Sequence, residues 1–221
     1  MGADQTPLLV IPIPYVPLTI SIHTLVSIAS VWLLALMLAQ RQPGIKITAI
    51  EVDEQAASQA HQNFADSPWA DRLTVINNRI QDTDLSKNYD IVVSNPPFYE
   101  KELLSPNGKR NIAHHNEGLL LSELPGIIIK TLKPEGNFFL MVPYKRFKEI
   151  ENLFSISQLA IEKLVFVKQS RSHDYFRFFI KGSLNKAIVC ERTEISIREH
   201  DNREYTEEFK NLLKDYYLKL N

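Results

Sequence analysis

Short runs of strand-forming residues alternate with helical segments along most of this chain, and this alternation constrains the fold more than any other feature. The pattern predicts strands at 47–52, 72–76, 90–94 and 137–142, and helices at 33–40, 53–64 and 119–132, the last closed by a turn at 133–136. Helical crossovers between parallel strands are right-handed, and they cover both faces of the sheet. The sequence therefore predicts an α/β fold with a mostly parallel twisted sheet flanked by helices.

In the C-terminal third, the pattern predicts two further strands that pair with each other and give the sheet an antiparallel C-terminal edge. These strands are expected at 163–168 and 175–181, followed by a strand at 187–197 and a helix at 206–220. A chain of 221 residues can bury the core of one domain of ordinary size. We expect a single domain over 33–221 and an atypical uncharged segment over 1–32.

The N-terminal region carries no Lys, Arg, Asp or Glu from residue 5 to residue 40, and residues 17–40 are long enough to cross a bilayer. Four prolines crowd residues 7–17 and no basic stretch precedes them, so we expect no membrane span, with a membrane anchor as the alternative. The single cysteine, Cys190, excludes an internal disulfide and is typical of a cytoplasmic protein. A net charge of −1 excludes a globally basic nucleic-acid coat, but it leaves room for a local basic patch.

The most specific stretch is residues 90–99, in which two consecutive prolines follow an apolar strand and fix a rigid extended turn. An exocyclic amine such as that of adenine needs acceptors for its hydrogens before it can attack a methyl donor. The side chain of Asn95 and the carbonyl of Pro96 are candidate acceptors, Pro97 rigidifies the turn, and Phe98 would stack on the extruded base. The alternative is an ordinary turn that ends a strand.

The turn Asn95–Phe98 resembles motif IV of the class I amino-methyltransferases, and Glu51-Val52-Asp53 is similar to their motif II. The resemblance implies a Rossmann-like fold and S-adenosyl-L-methionine as cofactor, with both ribose hydroxyls bound by Glu51. It places the adenine ring of the cofactor near Asn78 and Arg79. The residues implied to bind the cofactor are Glu51, Val52, Asn78, Arg79 and Asn95. Taken alone, Glu51 is equally a solvated loop charge, and Asn78 and Arg79 are equally plain turn residues.

Three further stretches resemble the bacterial tRNA1(Val) (adenine(37)-N6)-methyltransferases: residues 49–69, 110–115, and 204–219 at the C-terminus. This resemblance implies N6 methylation of an adenosine in tRNA by a monomeric cytoplasmic enzyme. The same acceptor turn also serves ribosomal RNA guanine-N2 and protein glutamine methyltransferases, which remain alternatives. A catalytically impaired fold that only binds RNA is a further alternative.

Basic and aromatic residues near the expected site are candidates for contacts with RNA phosphates and bases, although each is also a plausible solvated surface residue. They are Tyr99, Lys101, Lys109, Arg110, His114, Lys168 and Arg171. The pair His114-His115 has no Cys or acidic partner at a ligand spacing, so we expect no metal site.

One segment departs from the family pattern. The family has an Asp-x-Gly-x-Gly loop after its first strand, whereas Ser27–Trp32 stand at that place and no glycine occurs between Gly2 and Gly44. Glycines let the backbone approach a ligand closely, so the departure bears on cofactor affinity. Our hypothesis is that residues 7–32 are a local replacement, such as a shifted reading frame. Resequencing that finds one intact frame would remove it.

Overall fold

A computed structural model describes residues 22–28, 31–85, 89–95, 119–185, 189–201 and 203–216, with side chains from Trp32 onwards. In chain order its elements are β1 Ile22–Ile28, α1 Val31–Arg41, β2 Ile45–Glu51, α2 Glu54–Ala65, β3 Leu73–Asn77, β4 Tyr89–Asn95, α3 Leu124–Thr131, β5 Leu132–Pro143, α4 Phe147–Ile156, β6 Ala160–Ser170, β7 Tyr175–Ser183, β8 Glu191–Arg198 and α5 Glu207–Leu213. No helix in the described part of the chain is long and apolar enough to cross a membrane.

All eight strands belong to one sheet, in the order β3-β2-β1-β4-β5-β7-β6-β8. Neighbouring strands are parallel except at β7, which runs antiparallel to both β5 and β6. The outermost strand, β8, is again parallel to its neighbour β6. The prediction of a mostly parallel sheet with antiparallel pairing near its C-terminal edge is confirmed.

Helices cover both faces of the sheet because successive strand residues point to opposite sides. In β5, Phe138 and Leu140 pack in the cluster that also holds α3 and α4 residues such as Ile128 and Phe154. Phe139, on the other face, packs with α1 and α2, while α5 covers the same face beneath β7 and β8.

The central strand β1 lies inside the segment 1–32 that the sequence set apart, and no strand was predicted there. It pairs in parallel with β2 on one side and with β4 on the other. The resemblance placed the glycine-loop position at Ser27–Trp32, but Ser27 and Ile28 are still strand and Val31 already begins α1. Residues 29 and 30, between these two elements, lie outside the described residues.

The structure also departs from the prediction at α4 and at residues 133–136. Helix α4 was not predicted, although its buried Ile150 and Phe154 have helical spacing. The turn predicted at 133–136 is instead a bulge within β5, because Tyr89 pairs with Leu132 and the next paired residue of β4, Ile91, meets Asn137.

The guanidinium of Arg72 closes the C-terminal end of α1. Its two terminal nitrogens donate to three carbonyl oxygens, those of Gln42 at 2.9 Å and of Ile45 and Ala39 at 3.1 Å. The last carbonyls of a helix have no partner within the helix. Arg72 therefore joins α1 to β2 and β3 by satisfying them.

Replacing Arg72 with Ala is expected to lower the free energy of unfolding by about 2–3 kcal/mol, because its hydrogen bonds from a charged donor to three backbone carbonyls are lost. Urea denaturation measures the change. The matched control is Arg192→Ala, which removes an exposed ion pair with Glu151 at 3.3 Å and should cost less than about 1 kcal/mol. Equal losses in the two variants would contradict the assignment.

Candidate active site

The order of the sheet reverses between β1 and β4, and ligands of open α/β sheets bind at such a point, beyond the carboxyl ends of the strands. Ser27 of β1 pairs with Ile50 on one side and with Ser94 on the other. Glu51 and Asn95, the next residues, therefore flank Ile28 at the same level. With strands about 4.8 Å apart, their Cα atoms are separated by roughly 10 Å.

Glu51 ends β2 and its side chain is half-buried. Its Oε1 accepts a hydrogen bond from the backbone N–H of Asp53 at 3.0 Å, and Asp53 in turn caps α2 by accepting from the N–H of Ala56 at 2.8 Å. Among the described residues, Oε2 of Glu51 accepts no hydrogen bond and stays available to a ligand. Val52, the next residue, is 47% exposed.

Hydrogen bonds from residues at the end of β3 hold the backbone of Glu51 and Val52, where β2 ends. The side-chain nitrogen of Asn77 donates to the carbonyl oxygens of Glu51 at 2.9 Å and Val52 at 3.2 Å. The backbone N–H of Asn78 donates to the same Glu51 oxygen at 3.1 Å. Asn77 was not among the predicted site residues, although two consecutive asparagines at the end of a strand indicate polar side chains at that place.

Asn78 and Arg79, the residues expected near the adenine ring, follow β3 directly at the same edge. Asn78 is exposed, and its side-chain oxygen accepts from the N–H of Arg79 at 2.8 Å. The guanidinium Nε of Arg79 lies 3.7 Å from Oδ2 of Asp82. The structure thus places both residues on the β2 side of the edge, with Glu51, and their contact with a cofactor stays a prediction.

Asn95 is the last residue of β4, and its side chain is half-buried. The rest of the predicted acceptor turn, Pro96, Pro97 and Phe98, lies outside the described residues. The same holds for five predicted RNA contacts: Tyr99, Lys101, Lys109, Arg110 and His114.

The other two predicted RNA contacts, Lys168 and Arg171, lie at the carboxyl end of β6, which is the same edge of the sheet. Both already have carboxylate partners on β8 or just after it. The Nζ of Lys168 is 3.5 Å from Glu194, and Nε of Arg171 is 2.7 Å from Glu199. The hydrogen bond with Glu199 raises the pKa of Arg171 above its usual value.

A cluster of aromatic rings, not predicted from the sequence, lies where β5 and β6 end and β7 begins. Neighbouring ring centroids are 5.1–6.3 Å apart among Tyr144, Phe147, Phe166, Tyr175 and Phe178. The hydroxyl of Tyr175 donates to Glu194, which raises the pKa of Tyr175 and lowers the pKa of Glu194. Lys168 lies 4.9 Å from the centre of the Tyr175 ring. This cluster borders the site on the side of β5.

Within the described ranges, no three His, Cys, Asp or Glu side chains are placed so that they could hold a metal ion. The polar groups at the edge near β1 are a carboxylate and side-chain amides. Such a set suits hydroxyl and amine hydrogens, which need acceptors at fixed positions.

Comparisons with known proteins agree with this geometry. The family described as methyltransferase small domain matches residues 30–123. A tRNA1(Val) (adenine(37)-N6)-methyltransferase of Dyadobacter fermentans is 32% identical over 194 residues, which cover 86% of this chain and 80% of the relative. A protein of the same name from Bacteroides thetaiotaomicron is 33% identical over 195 residues, with 85% and 79% covered.

Solved structures show the same fold at low sequence identity. A predicted O-methyltransferase from Agrobacterium tumefaciens matches with a TM-score of 0.65 at 13% identity, covering 88% of this chain and 89% of the other. A geranyl diphosphate C-methyltransferase from Streptomyces coelicolor, solved with S-adenosyl-L-homocysteine, matches with a TM-score of 0.53 at 12% identity, covering 73% of each chain. The fold and the curated relatives agree, and the chain belongs to the tRNA1(Val) (adenine(37)-N6)-methyltransferase family of class I methyltransferases.

Proposed function

We propose that this protein transfers the methyl group of S-adenosyl-L-methionine to the N6 amine of an adenosine in tRNA, adenosine 37 of valine tRNA in particular. The relatives carry this activity in their names. The observation that supports it best is the placement of Glu51 and Asn95 on either side of β1, at the reversal of strand order. We further propose that the protein acts as a monomer in the cytoplasm.

The side chains at this edge fit the nucleoside part of the cofactor. A ribose presents two neighbouring hydroxyls, and the Glu51 carboxylate, with Oε2 available among the described residues, can accept from them. The exposed Val52 offers an apolar surface for the adenine ring, beside Asn78 and Arg79. When bound, S-adenosyl-L-methionine supplies a methyl group activated by a positively charged sulfur.

The role proposed for Asn95 follows from the electronics of the acceptor amine. The nitrogen lone pair of adenine N6 is delocalised into the ring, and attack requires it to become more tetrahedral and more positive. The side-chain oxygen of Asn95 would accept one amine hydrogen and stabilise this change, as preorganised dipoles do at sites of developing charge. Pro96 would accept the second hydrogen, Pro97 would hold the turn, and Phe98 would stack on the base.

The RNA is expected to lie along the same edge, over the ends of β5 and β6. Lys168 and Arg171 would approach its phosphates, together with Tyr99, Lys101, Lys109, Arg110 and His114. Lys168 and Arg171 lie on the side of the site away from Glu51, as expected if the RNA and the cofactor approach from opposite sides.

The test is methylation of an unmodified valine tRNA transcript by the purified protein, with N6-methyladenosine measured by mass spectrometry after nuclease digestion. We expect one methyl group per transcript, and none on a transcript carrying guanosine at position 37. Calorimetry with S-adenosyl-L-methionine accompanies it. Absence of binding at millimolar cofactor would favour the impaired RNA-binding alternative. Cofactor binding with methylation of only ribosomal RNA guanine or protein glutamine would overturn the proposed substrate.

A further inference from the structure

The side chain of Asn77, the last residue of β3, reaches the neighbouring strand β2 at the point where the two strands stop pairing. The ladder between β2 and β3 ends at the pair Glu51 and Asn77. Beyond it, the side-chain nitrogen of Asn77 donates to the carbonyls of Glu51 at 2.9 Å and Val52 at 3.2 Å. An amide nitrogen has two hydrogens, and these two bonds use both.

The bond to Val52 also fixes the direction of a neighbouring donor. The carbonyl of Val52 and the N–H of Asp53 belong to one planar trans peptide, so they point in opposite directions. Holding the carbonyl towards Asn77 aims the N–H of Asp53 away from it, where it donates to Oε1 of Glu51 at 3.0 Å. The orientation of the Glu51 carboxylate therefore depends on the amide of Asn77.

We propose that Asn77 is a positioning residue for cofactor binding, acting through Glu51 by fixing the peptide between Val52 and Asp53. This inference rests on the proposed function, in which Glu51 binds the ribose. Asn77 itself need not touch the ligand. A purely structural residue would instead affect ligand binding to the same extent whether or not Glu51 is present.

A double-mutant cycle separates these two roles, because residues that act through one another are not additive. The variants are Asn77→Ala, Glu51→Ala and the double variant, and the probe is S-adenosyl-L-homocysteine in a calorimeter. Asn77→Ala is expected to weaken binding about tenfold in the wild-type background and less than about twofold in the Glu51→Ala background. Asn77→Asp, which sets a carboxylate against two carbonyls, should weaken binding by roughly a hundredfold.

The matched control is Asn185→Ala, which also removes an amide donor to a backbone carbonyl, that of Pro134 at 3.3 Å, but at the opposite edge of the sheet. It should leave the dissociation constant unchanged. Thermal melts without ligand check that each variant is folded, and Asn77→Ser replaces Asn77→Ala in the cycle if the latter is not. Equal losses in both Glu51 backgrounds would overturn the role of Asn77 and leave the proposed function intact. A wild-type protein that does not bind the ligand would overturn the proposed function itself.

Discussion

Replacing Asn95 with Ala is expected to lower the rate constant for methylation of valine tRNA by about 10²–10³-fold, the usual cost of removing one preorganised group that stabilises developing charge. Asn95 ends β4 at the reversal of strand order, so its backbone is fixed by a buried strand. Single-turnover kinetics with saturating cofactor and tRNA measure the effect on the chemical step.

The isosteric change Asn95→Asp sharpens this prediction. A carboxylate keeps an acceptor at the same place, so this variant should retain more activity than Asn95→Ala. Affinity for S-adenosyl-L-homocysteine should fall less than about tenfold in both, because Asn95 is only one of five residues implied to bind the cofactor. Unchanged methylation by Asn95→Ala would show that the acceptor lies elsewhere.

Replacing Gly182 with Ala is expected to destabilise the protein by about 3 kcal/mol or more, the upper end of the cost of overpacking. Gly182 lies in β7 between β5 and β6, and an added Cβ would be 2.2 Å from the carbonyl oxygen of Ala160. It would also be 2.2 Å from a ring carbon of Phe138, which is fully buried. A side chain can rotate away, but the carbonyl moves only if the strand moves. Chemical denaturation followed by far-UV circular dichroism measures the loss.

A second glycine provides the control. Gly126 lies within α3, is exposed, and has no atom within 4 Å of the position of an added Cβ. Gly126→Ala should therefore raise stability by roughly 0.5–1 kcal/mol, because alanine loses less backbone entropy in a helix. Similar stabilities for the two variants would show that β7 can move away from β6 at little cost.

The strands around the site could be predicted because they are short runs of apolar, strand-forming residues between more polar stretches of the chain. The predicted 47–52 and 90–94 correspond to β2 at Ile45–Glu51 and β4 at Tyr89–Asn95. The resemblance to the amino-methyltransferases selected Glu51 and Asn95, and the rule that ligands bind at the carboxyl ends of parallel strands placed both at one edge. Strand β1 was missed because a strand buried in the middle of a parallel sheet has no polar face, and residues 5–40 around it carry no charged side chain.

The partners of individual side chains could not be predicted, because they depend on strand register. The two hydrogen bonds from the Asn77 side chain to the carbonyls of Glu51 and Val52 exist only because β3 ends level with Glu51. In the same way, Lys168 and Glu194 are far apart in sequence and meet because β8 pairs with β6. A sequence pattern shows that a lysine is near a site, but it does not show which carboxylate already holds it.

The central position of β1 also affects how the chain assembles during synthesis. Pairing with β2 involves residues that leave the ribosome soon afterwards, whereas Thr24 pairs on its other side with Ile91 of β4. Until β4 emerges, the inner edge of β1 has open backbone donors and acceptors that another strand can join. Contacts this distant in sequence slow folding. At this stage the nascent protein is open to misassembly at β1.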